Sequence, residues 1–97
     1  MTSKITISNK SELYLKFLSD LQQVAIGFNS RITVQKGVVT VDAKSFMGIL
    51  ALIDAKGTKL EVVAEGEDAQ MALDAIGNLA SQNLLKLNGE PAPFRKN

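Results

Sequence analysis

An α+β open-faced β-sandwich, with a four-stranded antiparallel sheet and three helices on one face, is the architecture to expect from this chain. Two observations carry it. Apolar spacing switches repeatedly between two and three-to-four residues, in the order β-α-β-β-α-β-α. The strand-like runs alternate apolar with polar residues, as burial on one face requires. Length adds a bound: 97 residues, 45% of them hydrophobic and 22% charged, suffice for one core and not for two.

Lys4-Ile5-Thr6-Ile7-Ser8 places Ile5 and Ile7 on one face of a first strand. Asn9-Lys10-Ser11 supplies loop or cap residues. Leu13, Phe17, Leu21, Val24 and Phe28, joined by Leu18 and Ala25, then recur at helical steps and predict an amphipathic helix ending near Gly27. Ile32 and Val34 alternate before the tight connection at Lys36-Gly37, and Val39 and Val41 alternate after it, so the two runs should pair as a hairpin. Ser45 opens a short helix from Phe46 to Ile53, which Lys56-Gly57-Thr58 ends. Leu60-Glu61-Val62-Val63-Ala64 is the fourth strand. Gly66-Glu67-Asp68 begins the last helix, with two carboxylates in its first turn where the dipole favours them, and Ala69, Ala72, Leu73, Ile76, Leu79 and Ala80 form its buried stripe. Residues 1–87 thus read as a single domain. Residues 88–97, with Gly89, Pro91 and Pro93 and no apolar period, read as a loose C-terminal tail whose Phe94 at most touches the body.

Composition narrows the function classes. Eleven basic and ten acidic residues are scattered to a net charge of +1, with no basic block to follow a phosphate backbone, so nucleic acid is not the expected ligand. The chain has no cysteine, hence no disulfide and no thiolate metal site, the usual condition of a cytoplasmic protein. Its longest apolar run is far short of the ~20 residues of a membrane span. The chain also has no histidine, and together these absences remove most nucleophiles, metal ligands and proton shuttles that a small enzyme would use. The expectation is therefore no enzyme, no metal and no cofactor, but a surface read by other proteins. Glu67 and Asp68 fit this picture as helix-start electrostatics, since no second group near them in sequence would shift either pKa.

Ser45 is the most informative residue. As an N-cap it contributes about 1 kcal/mol, and a phosphate on the same hydroxyl would meet the positive end of the helix dipole. Phe46, Met47, Ile49, Leu50, Leu52 and Ile53 are too many apolar residues for one side of so short a helix, so some must be exposed or covered by a partner. Gly48 costs about 1 kcal/mol against alanine in a helix, which points to a close approach by a backbone or a partner. Tyr14 reads as a boundary aromatic with its hydroxyl in water, and Lys16 as a solvated charge.

The element order, the segment Ala43-Lys44-Ser45-Phe46-Met47-Gly48-Ile49-Leu50-Ala51-Leu52 and the stretch Ala64 to Leu73 together resemble the histidine phosphocarrier protein (HPr) family of the sugar phosphotransferase system, over roughly residues 4 to 84. The resemblance implies that Ser45 is a kinase-modified regulatory serine and that Phe46, Met47 and Leu50 dock partner proteins. The family's Gly-x-His-Ala-Arg-Pro stretch falls on Glu12-Leu13-Tyr14-Leu15-Lys16-Phe17, which puts Tyr14 at the phosphorylated histidine and Lys16 at the arginine. A relay needs the labile phosphoramidate of an imidazole, whereas a tyrosine ester is too stable to pass its phosphoryl group on readily. Lys16 keeps a charge but lacks the planar fork that grips a phosphate. Some members of that family with glutamine in place of the histidine and a retained serine act in carbon-catabolite regulation and not in sugar transport, and the resemblance is to those in kind. The expectation is thus a regulatory interaction module without the phosphocarrier histidine, controlled at Ser45, whose implied partners are a serine kinase and a transcriptional regulator. Two alternatives stand beside it: a phosphocarrier that uses another acceptor, and a constitutive self-association module. The sequence leaves the oligomeric state open.

Overall fold

Alternation decides which side of each strand faces the helices. In β1 (Thr2–Ser8), β2 (Arg31–Lys36) and β4 (Lys59–Glu65) the buried apolar residues are Ile5 and Ile7, Ile32 and Val34, and Leu60, Val62 and Ala64. Register sets them against one another: Ile5 lies opposite Val62, Ile7 opposite Leu60, Ile32 opposite Ala64 and Val34 opposite Val62. These cross-strand pairs make one continuous apolar floor. The computed structural model describes residues 1–88. The remaining elements are α1 (Tyr14–Ile26), β3 (Val39–Asp42), α2 (Phe46–Asp54), α3 (Ala69–Gln82) and β5 (Leu87–Asn88). All strand pairs are antiparallel, in the order β3-β2-β4-β1-β5.

The helices cover the apolar floor with the residues their periods select. α1 buries Phe17, Leu18, Leu21 and Ala25, and α3 buries Ala69, Ala72, Leu73, Ile76 and Ala80. Short α2 buries only Ile49 and Leu52. It packs on the edge strand β3 through Gly48, where a Cβ would stand 2.9 Å from Val41 Cβ and 3.1 Å from the Asp42 carbonyl oxygen. The glycine answers a neighbouring strand of the same chain. The hairpin between β2 and β3 turns through the two residues Gly37-Val38, with φ +61° at Gly37, the left-handed first position of a type II′ loop.

Four long strands and three helices follow the expected order, and β5 adds a short strand that two residues were too few to announce. Asn88, placed in the tail by its composition, pairs with Thr6 through its backbone. The rest of that tail, including Phe94, lies outside the described residues.

The start of α3 corrects a second expectation. The helix begins at Ala69, and neither carboxylate stands within its first turn. Asp68 instead accepts hydrogen bonds from the N–H groups of Asn29 and Ser30, each at 2.9 Å, and from the Ser30 hydroxyl. The hydroxyl first, then the Asn29 N–H, hold its carboxyl below the ordinary value. The carboxylate clamps the loop leading into β2. At its other end α3 closes with a Schellman motif, Leu85 N–H to Ala80 O and Leu84 N–H to Ser81 O, in which Leu84 takes the left-handed position at φ +65°. Among the described residues no helix is long and apolar enough to cross a membrane.

Candidate functional site: the groove between the first two helices

Ser45 sits in extended backbone, φ −95° and ψ 120°, and its Oγ accepts a hydrogen bond from the Gly48 N–H at 3.0 Å. That is the N-cap the sequence predicts. The loop before it is tied down at both ends of Lys44. The ammonium of Lys44 donates to the Phe28 carbonyl at 2.7 Å, its N–H donates to Asp42 Oδ1 at 2.8 Å, and its carbonyl accepts from Gln22 Nε2 at 2.9 Å. Both side-chain bonds reach the α1 side of the molecule. The half-buried serine is therefore held at a defined place, beside first-turn N–H groups that point outward at the positive end of α2.

From this cap α2 presents its apolar surplus to solvent. Phe46 is 59% exposed, Met47 73%, Leu50 41% and Ile53 44%. Across from them α1 exposes Leu15, also at 59%. Leu15, Phe46, Leu50 and Ile53 wall a groove of about 310 Å³ with Leu18 and Ile49 at its floor, and Ser19 and Gln22 supply polar atoms at the rim. Met47 stands outside that lining. Among the described residues no charged side chain lines the groove, so burial of apolar surface would dominate binding there. Ile53 belongs to the apolar surplus read from sequence but not to the docking residues named there, and Leu15 was not singled out. Leu15 falls off the buried stripe of α1 at Phe17, Leu18 and Leu21, and an apolar residue out of phase was the available signal.

Tyr14 departs from its expected place. Its hydroxyl is sealed from solvent and has no hydrogen-bond partner among the described residues. The Nζ of Lys36 lies 4.9 Å from its ring centroid and donates to the Leu52 carbonyl at 3.0 Å. Lys36 is itself only 4% exposed. It follows Ile32 and Val34 at the inward phase of β2, which turns its chain under the helices. Stacking on the ring and bonding near the negative end of α2 compensate the buried ammonium. One cation thereby ties α1, β2 and α2 together. A phenol enclosed in this way is not placed to take a phosphoryl group. Lys16 is exposed as predicted, and its ammonium is engaged by Asp20 at 3.0 Å one turn on. Tyr14 and Lys16 therefore do not form an open anion pocket. Among the described residues no three His, Cys, Asp or Glu side chains converge as a metal site would need.

Comparison with known proteins places this geometry. A family model described as "PTS HPr component phosphorylation site" matches residues 1–82. The phosphocarrier protein HPr of Treponema pallidum is 33% identical over 75 residues, 77% of this chain and 85% of that protein. The phosphoryl donor subunit DhaM of the PEP-dependent dihydroxyacetone kinase of Providencia stuartii is 32% identical over 83 residues, which are 86% of this chain but 17% of that longer protein. A crystal structure of HPr-C-His from Thermoanaerobacter tengcongensis superposes with a TM-score of 0.68 at 34% identity, covering 86% of this chain and 93% of that one. Fold, length and sequence agree, and the chain belongs to the HPr family of phosphotransferase-system phosphocarrier proteins.

Proposed function

We propose that this member of the family recognises protein partners and does not relay phosphate, and that phosphorylation of Ser45 sets which partners it takes. The observation that carries the reading is the absence of any histidine from the 97 residues. In this reading Tyr14 occupies the family's histidine position and Lys16 its arginine position. The sealed Tyr14 hydroxyl and the Lys16–Asp20 pair support it. Phe46, Met47 and Leu50, with Leu15 and Ile53 beside them, are the docking side chains.

A phosphate on Ser45 acts by charge. It brings about −1.5 to −2 charges next to the exposed Phe46 and Met47, at a helix N-terminus that favours an anion. A partner that covers the apolar groove without offering a cation is then disfavoured, and a partner that brings arginines gains charge-assisted hydrogen bonds. Lys44 does not neutralise the phosphate, because its ammonium is committed to the Phe28 carbonyl. The partners consistent with this chemistry are a serine kinase and a regulator, such as a transcriptional one, that reads the phosphoserine.

The test is incubation with ATP and a kinase that modifies the family's serine, with a histidine-containing carrier as positive control. Phosphate should appear on the wild-type chain and be lost in Ser45→Ala. A kinase that modifies the control but leaves this chain unmodified would refute the regulatory role of Ser45.

A further inference from the structure

The peptide unit that joins Lys44 to Ser45 is gripped from both sides. Its N–H donates to the Asp42 carbonyl at 3.0 Å, and its C=O accepts from Gln22 Nε2 at 2.9 Å. The two grips differ in kind. Asp42 also accepts the Lys44 N–H on its carboxylate at 2.8 Å, so both of its bonds stay within the turn and shape the turn alone. The Ala43 N–H ties that turn to β2, through the Ile32 carbonyl at 2.9 Å. Gln22 comes from α1, 22 positions away, and fixes the plane of the peptide against another helix. Behind the serine, the Ile49 N–H donates to the Ser45 carbonyl at 3.0 Å. With one rigid peptide plane fixed ahead of Ser45 and the next fixed behind it, its Cα–Cβ bond has a set direction. The same Gln22, half-buried, lines the apolar groove with Ser19, Phe46 and Leu50. One side chain thus belongs both to the groove and to the backbone that aims the serine.

We propose that Gln22 is a positioning residue for modification of Ser45: its hydrogen bond to the Lys44 carbonyl holds the serine hydroxyl where a kinase seated on the groove can use it. The proposal rests on the reading of Ser45 as the phosphorylated residue. In that transfer the Ser45 Oγ bonds to the γ-phosphorus of ATP, the bond from that phosphorus to ADP breaks, and the hydroxyl proton passes to a base of the kinase. The attacking oxygen must lie in line with the breaking bond. An acceptor whose backbone is already set therefore loses less in orientation than one that must be ordered at each encounter. Lys44 does not duplicate this grip. Its ammonium reaches the Phe28 carbonyl at the end of a flexible four-carbon stem, which anchors the side chain and leaves the peptide ahead of the serine free to turn. Without the Gln22 donor the Lys44 carbonyl turns to water, and that peptide is held on one side only.

Two measurements on the full chain and on Gln22→Met test this. Methionine keeps the length and helix propensity of glutamine and lacks the donor. The first measurement is the kinetics of phosphorylation by ATP and a kinase that modifies the family's serine. In Gln22→Met, kcat should fall about tenfold without a rise in KM. The second is hydrogen exchange of the Gly48 amide, which the Ser45 Oγ caps at 3.0 Å. It should speed up about fivefold or more in the variant, and by more than the Val62 amide at the centre of the sheet does. An unchanged kcat or an unchanged Gly48 rate would overturn the proposal. So would a rise in KM alone, which would make Gln22 a groove contact and nothing more. A wild type that takes no phosphate while the histidine-containing carrier does would overturn the Ser45 reading and this proposal with it, a result distinct from a defect confined to the variant.

Discussion

Removing the Tyr14 hydroxyl should stabilise the protein. A buried hydroxyl without a partner carries a desolvation cost of about 1–3 kcal/mol, and the ring that packs beneath Lys36 is retained in phenylalanine. Tyr14→Phe is expected to raise the unfolding free energy by about 1 kcal/mol, seen as a higher urea midpoint at unchanged slope. A lower midpoint would show that the hydroxyl is satisfied. Asp68 makes the opposite kind of prediction. Hydrogen bonds from Ser30 and Asn29 favour its charged form, so its folded pKa lies below the unfolded one. Its contribution is then complete at neutral pH and is lost as pH falls from about 4 through the folded value. Melting temperatures of the wild type and Asp68→Asn should differ most near pH 7 and converge in acid. A gap independent of pH would contradict the clamp. Neither residue disclosed its role in sequence, for physical reasons. The partners of Asp68 lie 38 and 39 positions away, and only the tertiary fold brings them together. Tyr14 stands at the margin of a helical stripe, where period alone does not say which way a ring turns. Lys36 was read as part of the tight connection with Gly37, whereas it ends β2 and continues the inward phase of Ile32 and Val34.

Among the elements, the long periodic ones were readable and the short ones were not. α1 and α3 repeat their apolar step over several turns, and the Ser45 cap declared itself by its place between an alternating strand and an apolar run. β5 has two residues, too few for any period, and the tail's composition argued against it. The groove followed the same logic. Its α2 wall was legible as a surplus of apolar residues on a short helix, and its α1 wall rests on Leu15 alone. At the end of α3 the chain departs from the residue its geometry favours. The Schellman position at Leu84 is left-handed, which costs a branched residue about 1 kcal/mol relative to glycine, and the side chain is 68% exposed and so loses little packing if removed. Leu84→Gly should therefore raise stability by about 0.5–1 kcal/mol despite the extra freedom of the unfolded chain, as read by chemical denaturation. A loss of stability would mean that Leu84 is held by contacts its exposure does not suggest.

For the molecule as a whole, the fold preserves the family's platform, and in the proposed reading the chemistry of the relay is missing. The sheet and the three helices superpose on a solved phosphocarrier of the family, and Ser45 caps α2 in this chain. The position read as the histidine's carries a phenol turned inward beneath a buried lysine, so α1, β2 and α2 are joined where a relay would need an open imidazole. The exposed apolar groove on α1 and α2 contains none of that machinery, and in the proposed reading it serves recognition alone. The most direct measurement is treatment of the full chain with phosphoenolpyruvate and the general phosphotransferase enzyme, followed by a search for acid-labile phosphate and its transfer to a sugar-permease subunit. The account predicts none under conditions that fully charge a histidine-containing carrier. Acid-labile phosphate on this chain that passes to the permease subunit would contradict it.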